Sequence, residues 1–170
     1  TFTKADNLTV GTDNEKNIVK VYYSKDRNKD GVPDKYQIEV TYTAENGTID
    51  SDHANGKKFY VTLLKDGKWA TKEDGGIGYL SDNQIATATA AKGYSQDSLK
   101  WAPKVPTTKL DLNEDTQFVA DFEKDSFRYS IEYYYDGVKG KTDSYTAMFE
   151  EEITWIPEVS VMYEGRAYAL

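Results

Sequence analysis

Apolar and polar side chains alternate along several short stretches of the chain. In residues 36–42, and again in residues 127–135, every second side chain is aromatic or aliphatic, and most of those between are polar. A period of two places alternate side chains on opposite faces of an extended strand. Together with the many Val and Tyr residues, this pattern predicts strands over residues 18–23, 36–42, 58–64, 117–122, 127–135 and 144–149.

Turn residues separate the predicted strands. The pairs Asn46-Gly47, Asn55-Gly56, Asp66-Gly67 and Asp136-Gly137 tolerate a positive φ angle, so each suits a tight turn. Two prolines bracket an extended connection over residues 102–108.

One segment carries the start signal of a helix. Ser81 with Gln84 three residues later forms a capping-box pattern, and Gly93 would end the helix. Because Thr87 and Thr89 are β-branched, we expect the helix to be short. The predicted fold class is therefore mainly β (α+β), with one short helix per module.

A strand, a charged joint and a second strand occur in that order twice. Strand 18–23 precedes strand 36–42, and strand 118–122 precedes strand 127–133. If each joint is a module boundary, residues 35–124 are a complete module. Residues 1–25 are then the closing strand or strands of one module, and 26–34 an acidic linker. Residues 127–170 are the first half of a second module, which residues 1–25 of the same or a neighbouring copy could complete. The alternative is two ordinary hairpins in one domain.

Composition limits the size of the core and the kinds of partner. Hydrophobic residues make up 38% of the 170 and the mean hydropathy is -0.74, which favours thin modules over one large core. The net charge of -8 argues against nucleic acid and anionic membranes as partners. No apolar stretch reaches the length of a membrane helix, so we expect no membrane insertion. There is no cysteine, which excludes disulfides and thiolate chemistry.

Several of these segments resemble a known family. Residues 36–47, then Gly93-Tyr94 with Trp101 downstream, then residues 115–122, resemble the β-grasp repeats of bacterial surface proteins, namely internalin-type B repeats and mucin-binding-protein-like repeats. Residues 129–137 are similar to the opening strand of the mucin-binding-like kind, and residues 18–23 to its closing strand.

The resemblance implies tandem β-grasp (ubiquitin-like) modules in a secreted or cell-wall-attached protein of a Gram-positive bacterium. It also implies an extracellular adhesin without catalytic activity. The implied partners are a host glycoprotein, mucin or glycan, or neighbouring modules of the same protein.

The joint at residues 26–34 has the pattern of a calcium loop. Side-chain oxygens alternate and a glycine follows, as Ca²⁺ ligation requires. The candidate ligands are Asp26, Asn28, Asp30, the Val32 carbonyl and Asp34. The twelfth position is Gln37 and not the Glu of an EF-hand, so a thrombospondin-type or linker loop is the closer analogy. The alternative is a polar turn without metal.

The remaining candidate chemistry is sparse. His53 is the only histidine, and we expect it to be an exposed loop residue without a catalytic partner, so the chain is predicted not to be an enzyme. The tryptophans Trp69, Trp101 and Trp155 could instead form a sugar-stacking platform, although Trp101 is expected in the core. This gives the alternative function, a carbohydrate-binding module attached to a secreted glycosidase.

Overall fold

The structure is a computed structural model that describes residues 2–54 and 56–170, with residues 2–5 described by their backbone. Its strands are β1 (Phe2–Ala5), β2 (Val21–Tyr23), β3 (Gln37–Ala44), β4 (Gly47–Ile49), β5 (Phe59–Thr62), β6 (Leu64–Lys65), β7 (Lys68–Trp69), β8 (Ala88–Ala90), β9 (Lys100–Ala102), β10 (Thr116–Asp121), β11 (Ser126–Tyr135), β12 (Val138–Met148), β13 (Ser160–Tyr163) and β14 (Arg166–Ala169). Single 3-10 turns span Asn14–Lys16, Asp34–Tyr36, Asp82–Gln84 and Gln96–Ser98. The mainly β fold class is confirmed.

A four-stranded sheet with the order β5-β3-β10-β9 forms the centre of the molecule. The two middle strands are parallel, with Thr116 opposite Val40 and Ala120 opposite Ala44. Strands β5 and β9 flank them antiparallel. Parallel neighbours require a crossover connection, and here the crossover is the whole stretch between β3 and β10.

The core lies between this sheet and the crossover. Alternate residues of β3 and β10 are fully buried, as the period of two predicts. Prolines aside, every buried hydrophobic side chain of the described residues lies between positions 38 and 122. These residues are Ile38, Val40, Tyr42, Val61, Leu63, Ala70, Leu80, Ala86, Ala88, Leu112, Phe118, Ala120 and Phe122. We refer to residues 35–124 as the central unit.

The predicted helix after Ser81 is wrong beyond its first turn. The Ser81 backbone N–H donates to Gln84 Oε1 at 3.1 Å, as the capping-box pattern anticipates, but the turn ends at Gln84. The Thr87 backbone N–H donates to Asp50 Oδ2 at 2.6 Å, and Ala88–Ala90 then pairs with β4. A tertiary carboxylate and a strand partner thus replace the helical hydrogen bonds that the β-branched threonines disfavour.

The predicted turns match the positive φ angles of the chain. Asn46, Asp66 and Asp136 have φ between 49° and 56°, and Asp136 with Gly137 connects β11 to β12. Glu164 and Gly165 make the same kind of turn between β13 and β14. This turn was not predicted from the sequence. The predicted turn at Asn55 lies outside the described residues.

Residues 126–170, called the C-terminal unit, form two hairpins. The long hairpin β11-β12 extends from Ser126 to Met148, and β13-β14 packs against its far end through stacked Tyr135 and Tyr163 rings, 4.1 Å apart. Every side chain in this unit is exposed or half-buried. The unit therefore lacks the closed core of the central unit.

Phe149 joins the C-terminal unit to the central unit. Its ring lies against Gly93 and 5.8 Å from the Tyr94 ring, and its backbone N–H donates to the Asp125 carbonyl at 2.8 Å. Gly93 has φ of 94°, and a Cβ atom there would collide with the Phe149 ring. The boundary predicted near residue 125 is thus a packed contact.

The N-terminal segment forms a hairpin of its own. The strand predicted over residues 18–23 is shorter than expected, and Val21–Tyr23 pairs antiparallel with Phe2–Ala5. Among the described residues, no strand pairing joins this hairpin to residues 127–170. Pairing between these segments of neighbouring copies stays a prediction.

Candidate functional site

The candidate calcium loop, residues 26–34, is ordered by short side-chain-to-backbone hydrogen bonds. Asp26 Oδ2 accepts from the Gly31 N–H at 3.1 Å, and Asp30 Oδ1 accepts from the Val32 N–H at 2.8 Å. Asn28 Oδ1 accepts from the Asp30 N–H at 3.4 Å. The bonds at Asn28 and Asp30 are Asx turns, and the Asp26 carboxylate accepts from a residue five positions ahead. Oxygen-bearing side chains alternate here because each one satisfies a nearby backbone donor.

Arg27 and Asp34 close the loop. Asp34 Oδ1 accepts from the Arg27 backbone N–H at 2.9 Å, and Oδ2 accepts from Arg27 Nε at 2.7 Å. The backbone hydrogen bond from Arg27, with help from its guanidinium, lowers the pKa of Asp34. The Asp34 N–H donates in turn to the Lys25 carbonyl at 2.8 Å. The two ends of the loop are thereby held together.

The predicted ligands fit calcium in type but only partly in arrangement. Asp26, Asn28 and Asp30 share one turn, whereas both Asp34 oxygens are bound by Arg27. Asp30 Oδ2 also accepts from Gln37 Nε2 at 2.6 Å. In the part of the chain that the structure describes, no group of three or more His, Cys, Asp or Glu side chains is arranged to hold a metal ion. Calcium binding stays a prediction, with Asp34 as a ligand either directly, in competition with Arg27, or through water.

The expectation that His53 is an exposed loop residue is wrong. The residue is 7% exposed, and its ring lies edge-on to the Tyr42 ring, with the two ring centroids 5.7 Å apart. Nδ1 lies 2.6 Å from Asp50 Oδ1 and Nε2 lies 3.1 Å from the Asn83 carbonyl. Each ring nitrogen of His53 thus faces one oxygen acceptor. His53 therefore pins the start of the crossover to the core.

Asp50 is the acceptor at the centre of this cluster. Burial alone would raise its pKa, but hydrogen bonds from His53 and from the Thr87 N–H outweigh burial and lower the pKa to about 2. The spacing of three residues between Asp50 and His53 suits one turn of chain. This spacing was the available signal in the sequence for their contact. The third partner, Thr87, is distant in sequence and could not be inferred.

The three tryptophans have different surroundings. Trp101 is half-buried and edge-on to Tyr42, with 6.0 Å between ring centroids, which is the expected core position. Trp69 is exposed and its ring centroid lies 5.9 Å from that of Tyr36. Trp155 is exposed and its ring centroid lies 5.7 Å from that of Tyr145. The structure therefore does not gather them into one platform.

A different aromatic surface is present in the C-terminal unit. A groove of about 850 Å³ lies between the two hairpins, and we call it the aromatic groove. Lys141 Nζ lies 5.1 Å from the centroid of the Tyr133 ring and 2.8 Å from Asp143 Oδ2, so charged groups accompany the rings. The rings that line the groove are Tyr133, Tyr134, Tyr135, Tyr145, Trp155, Tyr163 and Tyr168. Trp155 was predicted as a candidate for sugar stacking, together with the Tyr-rich strands, but the groove that these rings form between two hairpins was not predicted.

Comparisons of the chain with protein-family models, with curated proteins and with solved structures find no match. Within residues 2–54 and 56–170, no helix has the length and apolar character needed to cross a membrane.

Proposed function

We propose that the chain is a non-catalytic repeat region of a Gram-positive cell-surface or secreted protein, in which β-grasp-like modules form an adhesin stalk. The observation that carries the proposal is the parallel pairing of β3 with β10 at the centre of the sheet. It makes the first and last strands of residues 35–124 direct neighbours, as expected of a self-contained repeating unit.

This pairing suits a segment that resists tension. In a parallel pair, the start of β3 and the end of β10 lie at opposite ends of the two strands. Tension applied there would shear all the hydrogen bonds between Thr116–Ala120 and Val40–Ala44 at once. Tension on the ends of an antiparallel hairpin, such as β11-β12, would instead break its bonds one after another.

The packed joint supports the same proposal. Three kinds of contact link successive units. Phe149 packs against Gly93 and Tyr94. Lys124 forms an ion pair with Glu150 at 3.1 Å, and Asp125 makes two backbone hydrogen bonds. A joint with a packed aromatic ring restricts bending between two units more than a flexible linker does. A series of units linked by such joints would therefore be extended and stiff.

Single-molecule pulling tests the proposal directly. The chain has no cysteine, so two introduced cysteines give unique attachment points. Lys35→Cys with Glu123→Cys would load β3 and β10 in shear, whereas Glu45→Cys with Glu123→Cys would peel them from one end. We expect a higher unfolding force for the first pair. Equal, low forces for both pairs would reject a role in bearing tension.

The aromatic groove favours the second candidate, a carbohydrate-binding module attached to a secreted glycosidase. Sugar rings stack on exposed aromatic faces, and Trp155 is exposed in a groove that charged Lys141 and Asp143 also line. A glycan array would test this function, with Trp155→Ala as the groove variant and Trp69→Ala as the control outside it. Glycan binding lost only in Trp155→Ala would favour this candidate over the stalk.

A further inference from the structure

The closing strand of the central unit is β10, and it is paired on both of its edges. Strand β10 lies between β3, to which it is parallel, and β9, to which it is antiparallel. The connection from β9 to β10 covers residues 103–115. The N-terminal hairpin repeats the second half of this arrangement, since β1 and β2 are antiparallel and are connected by residues 6–20. Strand β2 therefore corresponds to β10, and β1 to β9.

The C-terminal unit repeats the first half. Strand β11 follows a charged joint, as β3 does, and has an antiparallel neighbour, β12, as β3 has β5. The turn between β11 and β12 is tighter than the connection between β3 and β5. Strand β3 has a second, parallel neighbour, whereas β11 pairs with β12 alone among the described residues. The edge of β11 that a parallel closing strand would occupy therefore has no strand paired with it in the part of the chain that the structure describes.

An open edge and an uncovered face both have a cost. Unpaired backbone groups on a long edge strand are a template for a further strand, and a two-stranded hairpin is only marginally stable. Ile38, Val40 and Tyr42 are buried in β3, but their counterparts Tyr129, Ile131 and Tyr133 in β11 stay half-buried. A closing strand would satisfy the open edge of β11 and place its own apolar side chains beside these three.

Residues 16–25, near the other end of the chain, have the exposed apolar side chains and the positive charge that would suit this edge of β11. Val19 is 50% exposed, and Ile18 and Val21 are also exposed. Residues 16–25 carry three lysines and no acidic residue, whereas residues 126–170 carry eight acidic and four basic residues. The segment and the C-terminal unit are thus complementary in charge as well as in apolar surface.

We infer that residues 18–23 of a second copy of this chain add to β11 as a parallel strand and complete the C-terminal unit. The inference rests on the proposed modular organisation and names its partner. Phe118 lies opposite Tyr42 and Ala120 opposite Ala44 in the central unit. The same register places Val19 opposite Tyr133 and Val21 opposite Tyr135. The two surfaces are different, so the contact is head-to-tail and generates chains or closed rings of copies.

Sedimentation velocity of the full chain over a range of concentrations tests this association. We expect wild-type oligomers that grow with concentration and a monomer for Val19→Asp, which leaves the β1-β2 pairs in place. Val105→Asp, at an exposed position of 60% in the central unit, is the matched control and should associate like wild type. A wild-type monomer up to about 1 mM, or equal association of Val19→Asp, would overturn the inference.

A second experiment keeps the inference testable if association is weak. A copy of residues 1–25 attached after Leu170 through a flexible linker should slow hydrogen exchange of β11 amides that do not face β12. The same extension carrying Val19→Asp should not slow it. Unchanged β11 exchange with the wild-type extension would overturn the inference, while the pulling force of β3 and β10 depends only on the central unit and is unaffected by this result.

Discussion

Replacement of Asp50 by Ala is expected to destabilise the central unit by about 3 kcal/mol. The Asp50 carboxylate accepts from His53 Nδ1 and from the Thr87 N–H, both at 2.6 Å, and from the Asp52 N–H at 3.1 Å. His53 is buried, so its donor cannot turn to water after the substitution. The cluster holds the crossover at two points far apart in sequence.

The magnitude follows from two hydrogen bonds that are lost. The buried His53 donor is left without an acceptor, which costs about 1–3 kcal/mol. The N–H of the exposed Thr87 loses a hydrogen bond to a charged group, which contributes about 1.5–3 kcal/mol. Because Asp50 is itself partly exposed, we take values near the lower end for His53 and Thr87 together. For a unit of this size, the loss lowers Tm by on the order of 10 °C.

The contribution of Asp50 to the free energy of unfolding should decrease as the pH falls. The folded pKa of Asp50, about 2, lies below the unfolded value of about 3.9. Asp50 therefore contributes its full stability above pH 4, and this contribution is lost as the pH falls toward 2. The difference in unfolding free energy between wild type and Asp50→Ala should shrink over the same interval.

Urea unfolding monitored by tryptophan fluorescence, repeated from pH 2 to pH 7, measures both quantities. Thr9→Ala, a change at an exposed position outside the central unit, is the control and should leave the unfolding free energy within about 0.5 kcal/mol. A loss below 0.5 kcal/mol for Asp50→Ala at pH 7, or a loss of the same size at pH 2, would refute the assigned role of Asp50.

Three further predictions concern the core, the joint and the loop. Phe118→Ala removes a fully buried ring from β10 and should cost about 3–5 kcal/mol in urea unfolding; a cost below 1 kcal/mol would contradict the core position of β10. Phe149→Ala should accelerate proteolysis near Asp125 while the unfolding midpoint of the central unit stays unchanged, and unaltered proteolysis would speak against the packed joint. In calorimetry, Ca²⁺ should bind the wild-type loop and bind Arg27→Gln more tightly, because Asp34 Oδ2 loses its guanidinium partner, whereas Asp30→Ala should abolish the heat. No heat from either wild type or Arg27→Gln would favour the metal-free turn.

Local pattern was sufficient to predict the strands but not their partners. The alternation in residues 37–44 is a consequence of one buried face, so β3 could be read from sequence. Its parallel neighbour begins at Thr116, and nothing in either segment encodes that pairing locally. The same reason explains why the sequence predicted strand 18–23 but not its pairing with Phe2–Ala5.

The candidate sites diverged from expectation where tertiary contacts overrode local chemistry. His53 lies among polar residues, yet Tyr42 and Phe59 cover it, and its neighbours in sequence do not. Loop 26–34 was predictable as a turn rich in oxygen ligands, but the pairing of Arg27 with Asp34 depends on how the loop closes. The aromatic groove depends on the docking of one hairpin on another, which strand periodicity does not determine.

The central claim is that residues 35–124 are a complete unit whose first and last strands pair in parallel. Its most direct test is to produce residues 35–124 alone and follow hydrogen exchange and urea unfolding beside the full chain. The account predicts one cooperative transition close to that of the central unit in the full chain, with slow exchange of β3 and β10 amides together. Gradual unfolding, or rapid exchange in β10 while β3 stays protected, would contradict it.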